Sequence, residues 1–306
     1  MNTRQLLQTH SKFFLCVAGL GAVLCGRASE ASSVTLSATS SYQWVAGPSG
    51  SCGESSPPAA PPAISNCPSN FTILDGRGNV MDQGTIVATS HAAPNDLGSV
   101  LLVNLPQVLG FFGGTAFGTA AATDVLTITG GTGQGFLGAT GMAEGAFSGT
   151  TIAGNAGDTS LAGGAAVFEL SLSSSLAATQ TCDVSINFAI GPQQGSCGVL
   201  IPFTFGVPVA LDYSFSVNLT YSARTGGPDP MSGGASAAFG DTALVTSLGI
   251  YNLDGSLLGG ASAIAASGTE YNIAAASPVP VPEPTSVVLL ATGLIVTLRR
   301  RQAMPS

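Results

Sequence analysis

The chain has 306 residues, of which 45% are hydrophobic and only 8% charged, and its formal net charge is −8. Arg4, Lys12 and Arg27 stand near the start and Arg299 to Arg301 near the end, so Arg77 and Arg224 are the only cations between them. Such an anionic stretch has no means of neutralising phosphates, which excludes nucleic acid as a partner. The apolar share is enough to build a core, which excludes a chain disordered throughout.

Arg4 and Lys12 precede an apolar run from Phe13 to Leu24, and small residues follow. This is the pattern of a secretory signal peptide, with cleavage expected after Ala28 or Ala31. Cys25 raises a lipoprotein reading, but Leu24 stands where such signals need a small residue. Residues 1–28 are therefore read as a signal handled by the Sec export machinery. Residues 29–278 are read as an exported domain and residues 279–306 as a separate tail.

The domain reads as strands and turns. Ser33 to Val45 alternates through Val34, Leu36, Tyr42 and Trp44, and predicts a first strand. Gly47 to Pro68 is rich in glycine, serine and proline and reads as a long loop. Phe71 to Leu74 leads into the turn Asp75 to Asn79, which can close a hairpin. Thr85 to Ser90, Ser99 to Leu105 and Asp124 to Thr129 are further strands. The glycine run Gly130 to Gly141 lacks the lysine or following helix of a phosphate loop, so its glycines are assigned to strand crossings. Ala166 to Leu172, Val184 to Ile190, Val199 to Phe205 and Val209 to Tyr221 continue the series. In the last of these Leu211, Tyr213, Phe215, Val217, Leu219 and Tyr221 share one face, as a half-buried strand requires. Ala243 to Tyr251, the turn Leu253 to Gly255 and Ser256 to Ala265 read as a closing hairpin. No helical periodicity appears outside the two terminal apolar segments. The fold class is all-β: an antiparallel β-sandwich, with a jelly roll among the arrangements it admits.

Four cysteines remain after signal removal: Cys52, Cys67, Cys182 and Cys197. In an oxidising compartment the local pairs Cys52–Cys67 and Cys182–Cys197 are the natural ones, with two other connectivities formally open. Zinc is the rival reading, but there is no C-x-x-C spacing and no partnering histidine.

Catalytic chemistry is sparse. His91 is the one histidine of the domain, with Ser90 adjacent and Asp96 nearby. A hydrolytic triad is set by spatial geometry, and no G-x-S-x-G elbow is present. Glu54, Glu144, Glu169 and Glu270 are scattered, and Trp44 is the only tryptophan. The domain is accordingly read as non-enzymatic, with no metal and no cofactor. Calcium is a secondary reading, because Asp75 with Asn79, Asn155 with Asp158, and Asp229 lie in glycine-rich turns; aspartate and asparagine also favour turns in their own right. A carbohydrate- or calcium-binding module using Trp44, Tyr42 and these turns is the alternative function.

The tail carries the sharpest signal. Val281-Pro282-Glu283-Pro284-Thr285 runs into an uncharged apolar stretch that ends at Leu298, before Arg299, Arg300 and Arg301. The two prolines hold Glu283 on an extended segment. As a helix, Thr285 to Leu298 would span about 21 Å, short for a bilayer core of about 30 Å. Three arginines after it fix a cytoplasmic end. The order of proline-flanked glutamate, short transmembrane helix and basic stop resembles the PEP-CTERM sorting signal of Gram-negative bacteria. That resemblance implies an exosortase-like membrane peptidase as partner, with Pro282, Glu283 and Pro284 as the recognised motif. It further implies transient anchoring in the inner membrane, then delivery to the cell surface or medium, often beside exopolysaccharide.

Overall fold

The computed structural model describes residues 35–45, 47–56, 62–152 and 155–274. The expected signal peptide, the transmembrane segment and the residues named in the sorting motif and basic stop lie outside the described residues. Among the described residues the chain is all-β, with thirteen strands in two sheets whose paired strands all run antiparallel.

The first sheet contains β1 (Thr35–Trp44), β2 (Ser49–Ser56), β6 (Phe111–Thr129), β8 (Thr159–Ser174), β9 (Ala177–Asn187), β11 (Val209–Arg224) and the short β13 (Ser262–Ala265). Its order is β2-β1-β6-β11-β8-β9, with β13 laid along the end of β6. The second contains β3 (Ala63–Leu74), β4 (Val80–Ala93), β5 (Asp96–Val108), β7 (Gln134–Ile152), β10 (Gly191–Thr204) and β12 (Met231–Tyr251), in the order β10-β7-β12-β5-β4-β3. The inward faces of both sheets share one core. Thirteen strands exceed the eight of a jelly roll.

Strand alternation decides what enters that core. In β11 the six residues Leu211, Tyr213, Phe215, Val217, Leu219 and Tyr221 are buried, as their spacing predicts. In β7 the inward positions include glycines. A Cβ on Gly141 would stand 2.3 Å from the Phe168 ring of the opposite sheet, and one on Gly145 would stand 2.2 Å from Phe239. Those glycines leave room for the rings, so the glycine-rich composition is part of the packing.

β6 covers 19 residues, about 60 Å at the usual strand rise, and it defines two poles. At one pole Arg224 pairs with both Phe111 and Thr159. At the other, β13 pairs with the end of β6 through Ser262 and Thr129, and Tyr251 at the end of β12 pairs with Phe136. The first is called here the far pole, the second the tail pole.

Three expectations are corrected. The segment 47–68 is not one loop: it holds β2 and the start of β3. Both are edge strands, which tolerate glycine and proline; Pro68 in β3 and Pro192 and Pro202 in the other edge strand, β10, fit that rule. The strand expected from Asp124 begins much earlier, at Phe111, hidden in the sequence by its run of small residues. The turn at Leu253 to Gly255 forms, with Gly255 at φ +82°, but the chain then leaves β12 and β13 joins β6 in the other sheet.

Cys52 bonds Cys67 and Cys182 bonds Cys197, with Cα separations of 5.6 and 5.9 Å. Cys52 is on β2 and Cys67 on β3; Cys182 is on β9 and Cys197 on β10. Each bridge therefore joins the edge strand of one sheet to the edge strand of the other, and together they staple both sides of the sandwich. Each spans 15 residues, for which the chain-entropy account gives about 3 kcal/mol. Replacing either cysteine pair with alanines is expected to lower the unfolding free energy by about 3 kcal/mol. The two losses should add, because the sites are far apart. Urea denaturation of the two double variants and the quadruple variant measures this; unfolding indifferent to the substitutions would contradict it.

Candidate functional site

The described structure ends at Ala274, and its most distinctive polar site is the one that holds this last segment. β6 alternates so that Ala120, Ala122, Leu126 and Ile128 point inward, and Asp124 falls in the same row, 1% exposed. A carboxylate there is costly unless its oxygens are satisfied. One oxygen accepts the backbone N–H of Val125 at 2.8 Å and that of Ser267 at 3.1 Å. The other accepts the hydroxyls of Ser267 and, at 3.0 Å, Tyr271. Tyr271 also hydrogen-bonds Tyr213 of β11, and the Tyr213 hydroxyl accepts the backbone N–H of Asn95. Asn95 has φ +59°, a left-handed conformation that asparagine tolerates, and its side-chain oxygen accepts the N–H of Val245 at 2.7 Å.

The backbone completes the clasp. Ala266 donates to Val125 at 2.9 Å in the first sheet. Seven residues on, the chain lies against β12 of the second sheet: Leu248 donates to the Asn272 carbonyl at 2.8 Å, and Ala274 to that of Leu248 at 2.7 Å. Residues 262–274 thus buckle the two sheets together at the tail pole.

The aromatic hydroxyls respond to this setting. Burial, then the neighbouring Tyr213 and the Asp124 carboxylate, push the Tyr271 phenol well above its ordinary range. Burial also pushes Tyr213 up. A phenol whose folded pKa is raised contributes stability below about pH 10 that is lost as pH rises beyond it.

Other residues singled out from the sequence take different places. Ser90 is fully buried between the sheets, hydrogen-bonded to Ser40 and Ser99 at 3.3 and 3.1 Å. His91, one residue on, points to the opposite face of β4 and meets Asp96 at 3.4 Å. The backbone separates Ser90 from that pair, so these three residues do not form a triad. Trp44 is 2% exposed, stacked on Phe112 and Phe71, with its indole N–H given to Ser69 at 3.1 Å. It is a core residue, and the idea of Trp44 as a sugar platform is corrected accordingly. Tyr42 is half-buried beside Gly50.

Asp75 accepts the N–H groups of Arg77 and Asn79 at 2.7 and 2.8 Å and the Asn79 amide at 2.8 Å, which together hold its pKa below the usual range. Asp158 accepts the N–H groups of Asn155 and Gly226, at 2.9 and 2.7 Å, and Asn155 gives its amide to the Asp229 carbonyl at 2.9 Å. In these turns, the secondary calcium candidates of the sequence, the carboxylates of Asp75 and Asp158 accept hydrogen bonds that brace the chain. Among the described residues no group of three or more His, Cys, Asp or Glu side chains is placed to hold a metal. Asp124, Ser267 and Tyr271 were not singled out. The available signal was an aspartate in a row that alternation reserves for apolar side chains.

The described body is all-β, closed by two disulfides, and its last described segment is clasped between the sheets. Residues 280–302 match the PEP-CTERM protein-sorting motif, so the chain bears that signal at its C-terminal end. The match covers the tail alone. No curated protein matches the chain. The motif marks a sorted, exported protein and implies an exosortase as its processing partner.

Asp124→Asn keeps the size of the side chain but turns an acceptor into a donor facing hydroxyls. It is expected to cost about 1–3 kcal/mol, and faster hydrogen exchange should concentrate in residues 262–274. Uniform exchange along the chain would contradict the clasp. The Tyr213→Phe/Tyr271→Phe double variant should lose less of its stability than the unsubstituted protein as pH rises past about 10. Chemical denaturation at pH 8 and pH 10.5 makes the comparison, and equal losses would count against buried neutral phenols.

Proposed function

We propose that this chain is a non-enzymatic protein of the cell surface or extracellular matrix. In this reading a signal peptide sends it through the Sec machinery and the C-terminal helix holds it briefly in the inner membrane. An exosortase-like peptidase then processes it at Pro282, Glu283 and Pro284, with Arg299, Arg300 and Arg301 as the cytoplasmic stop. The observation that carries the reading is the sorting motif at residues 280–302, joined by only a few residues to a segment clasped into the body.

The composition supports it. Cross-sheet disulfides suit an oxidising compartment. Outer faces rich in serine, threonine and asparagine suit a structural surface. No cofactor is needed for such a role. The reading as a carbohydrate- or calcium-binding module loses its aromatic contact with Trp44 in the core, and exopolysaccharide remains a companion of the protein in this proposal rather than a bound ligand.

Combined Pro282→Ala, Glu283→Ala and Pro284→Ala substitutions should leave the tail attached, with full-length protein accumulating in the membrane fraction. Fractionation of the producing cells, with mass analysis of the C-terminal peptide, reads the result. Unchanged tail removal and surface delivery would exclude the motif as the recognised element.

A further inference from the structure

Two exposed features stand at opposite poles of the body. At the far pole an open groove of about 990 Å³ lies between the β5–β6 turn, the start of β8 and the end of β11. Phe111 and Leu161 line it and are 57% and 70% exposed. Arg224, one of the two arginines in the body, also lines it and has no ion-pair partner among the described residues. An exposed phenyl ring beside a guanidinium is a pairing enriched at protein–protein contacts, and Leu161 adds apolar area to it.

At the tail pole, the turn after β12 presents a matching shape. Leu253 is 62% exposed, and Asp254 beside it is exposed as well. The turn is rigid: Asn252 donates to the Ser256 carbonyl at 2.8 Å, and one Asp254 oxygen accepts the N–H and hydroxyl of Ser256 at 2.9 and 2.6 Å. Little conformational freedom is left for docking to remove.

We propose that the Leu253–Asp254 turn of one copy docks in the far-pole groove of another, Leu253 against Phe111 and Leu161 and Asp254 against Arg224. Charge complementarity selects this occupant. The groove offers a lone cation flanked by apolar side chains, and the turn offers a carboxylate next to an apolar side chain. The two surfaces lie at opposite ends of the same body, so the contact is heterologous. Repeated from copy to copy, it extends head to tail as a row of molecules and does not close a symmetric dimer. An end-on contact of this extent belongs to the weak, transient class, so assembly depends on high local concentration. Such a contact does not depend on how the tail is processed.

Sedimentation velocity of the full-length protein in mild detergent, over a range of concentrations, tests it. The expected result is concentration-dependent association. R224E alone and D254R alone should each weaken it by about tenfold, and the R224E/D254R double variant should restore it by reversing the pair. L253S, a change at an exposed position with little bearing on folding, should weaken it as well. A single unassociated species at every concentration, association indifferent to R224E and L253S, or a double variant no better than its parents would overturn the proposal.

Discussion

Asp124 places a carboxylate between two sheets without an ion-pair partner among the described residues, and four hydrogen bonds hold it there. Three of the four come from Ser267 and Tyr271, which belong to the segment just before the tail. A buried acceptor of this kind is expensive to leave unsatisfied, so the position of residues 262–274 is tied to the integrity of the core.

The rest of the body is consistent with life outside the cytoplasm. Among the described residues β2, β9, β3 and β10 end the two sheet orders, and an exposed edge invites pairing with other chains. Here each edge is joined by a disulfide to the edge of the opposite sheet, and prolines interrupt the donors of β3 and β10. Pro106 in β5 stands where the register with β4 and β12 shifts, the place where a central strand can accept a residue without an N–H. Few of these devices depend on charge, which fits a body with only two arginines.

Much of this is legible in the sequence. β11 announced itself through strict alternation, the Asp75–Asn79 hairpin through its turn residues, and both disulfides through their equal local spacing. What stayed hidden follows a pattern. β2 and the first part of β6 are built of glycine, alanine, serine and threonine, residues whose side chains carry too little contrast to show which face is inward. The run ending at Gly141 reads as glycines for strand crossings, and Gly145 gives no signal of its own; both are inward positions emptied for Phe168 and Phe239. Trp44, conspicuous as the single tryptophan, suggested a surface platform; burial is decided by neighbours such as Phe112 that only the sheet pairing brings together. The clasp was the least visible, because Asp124 and Tyr271 are 147 residues apart. The sorting signal was the reverse case, readable from a short contiguous run.

The account rests on a folded β body being delivered after its C-terminal plug has paused in the membrane and been cut away. Intact-mass analysis of the mature protein recovered from its native host tests that most directly. The account predicts a mass lacking both the N-terminal leader and the segment after the sorting motif, with four hydrogens missing for two intact disulfides. A mature species whose mass still includes residues 281–306, in cells with a working exosortase, would contradict it.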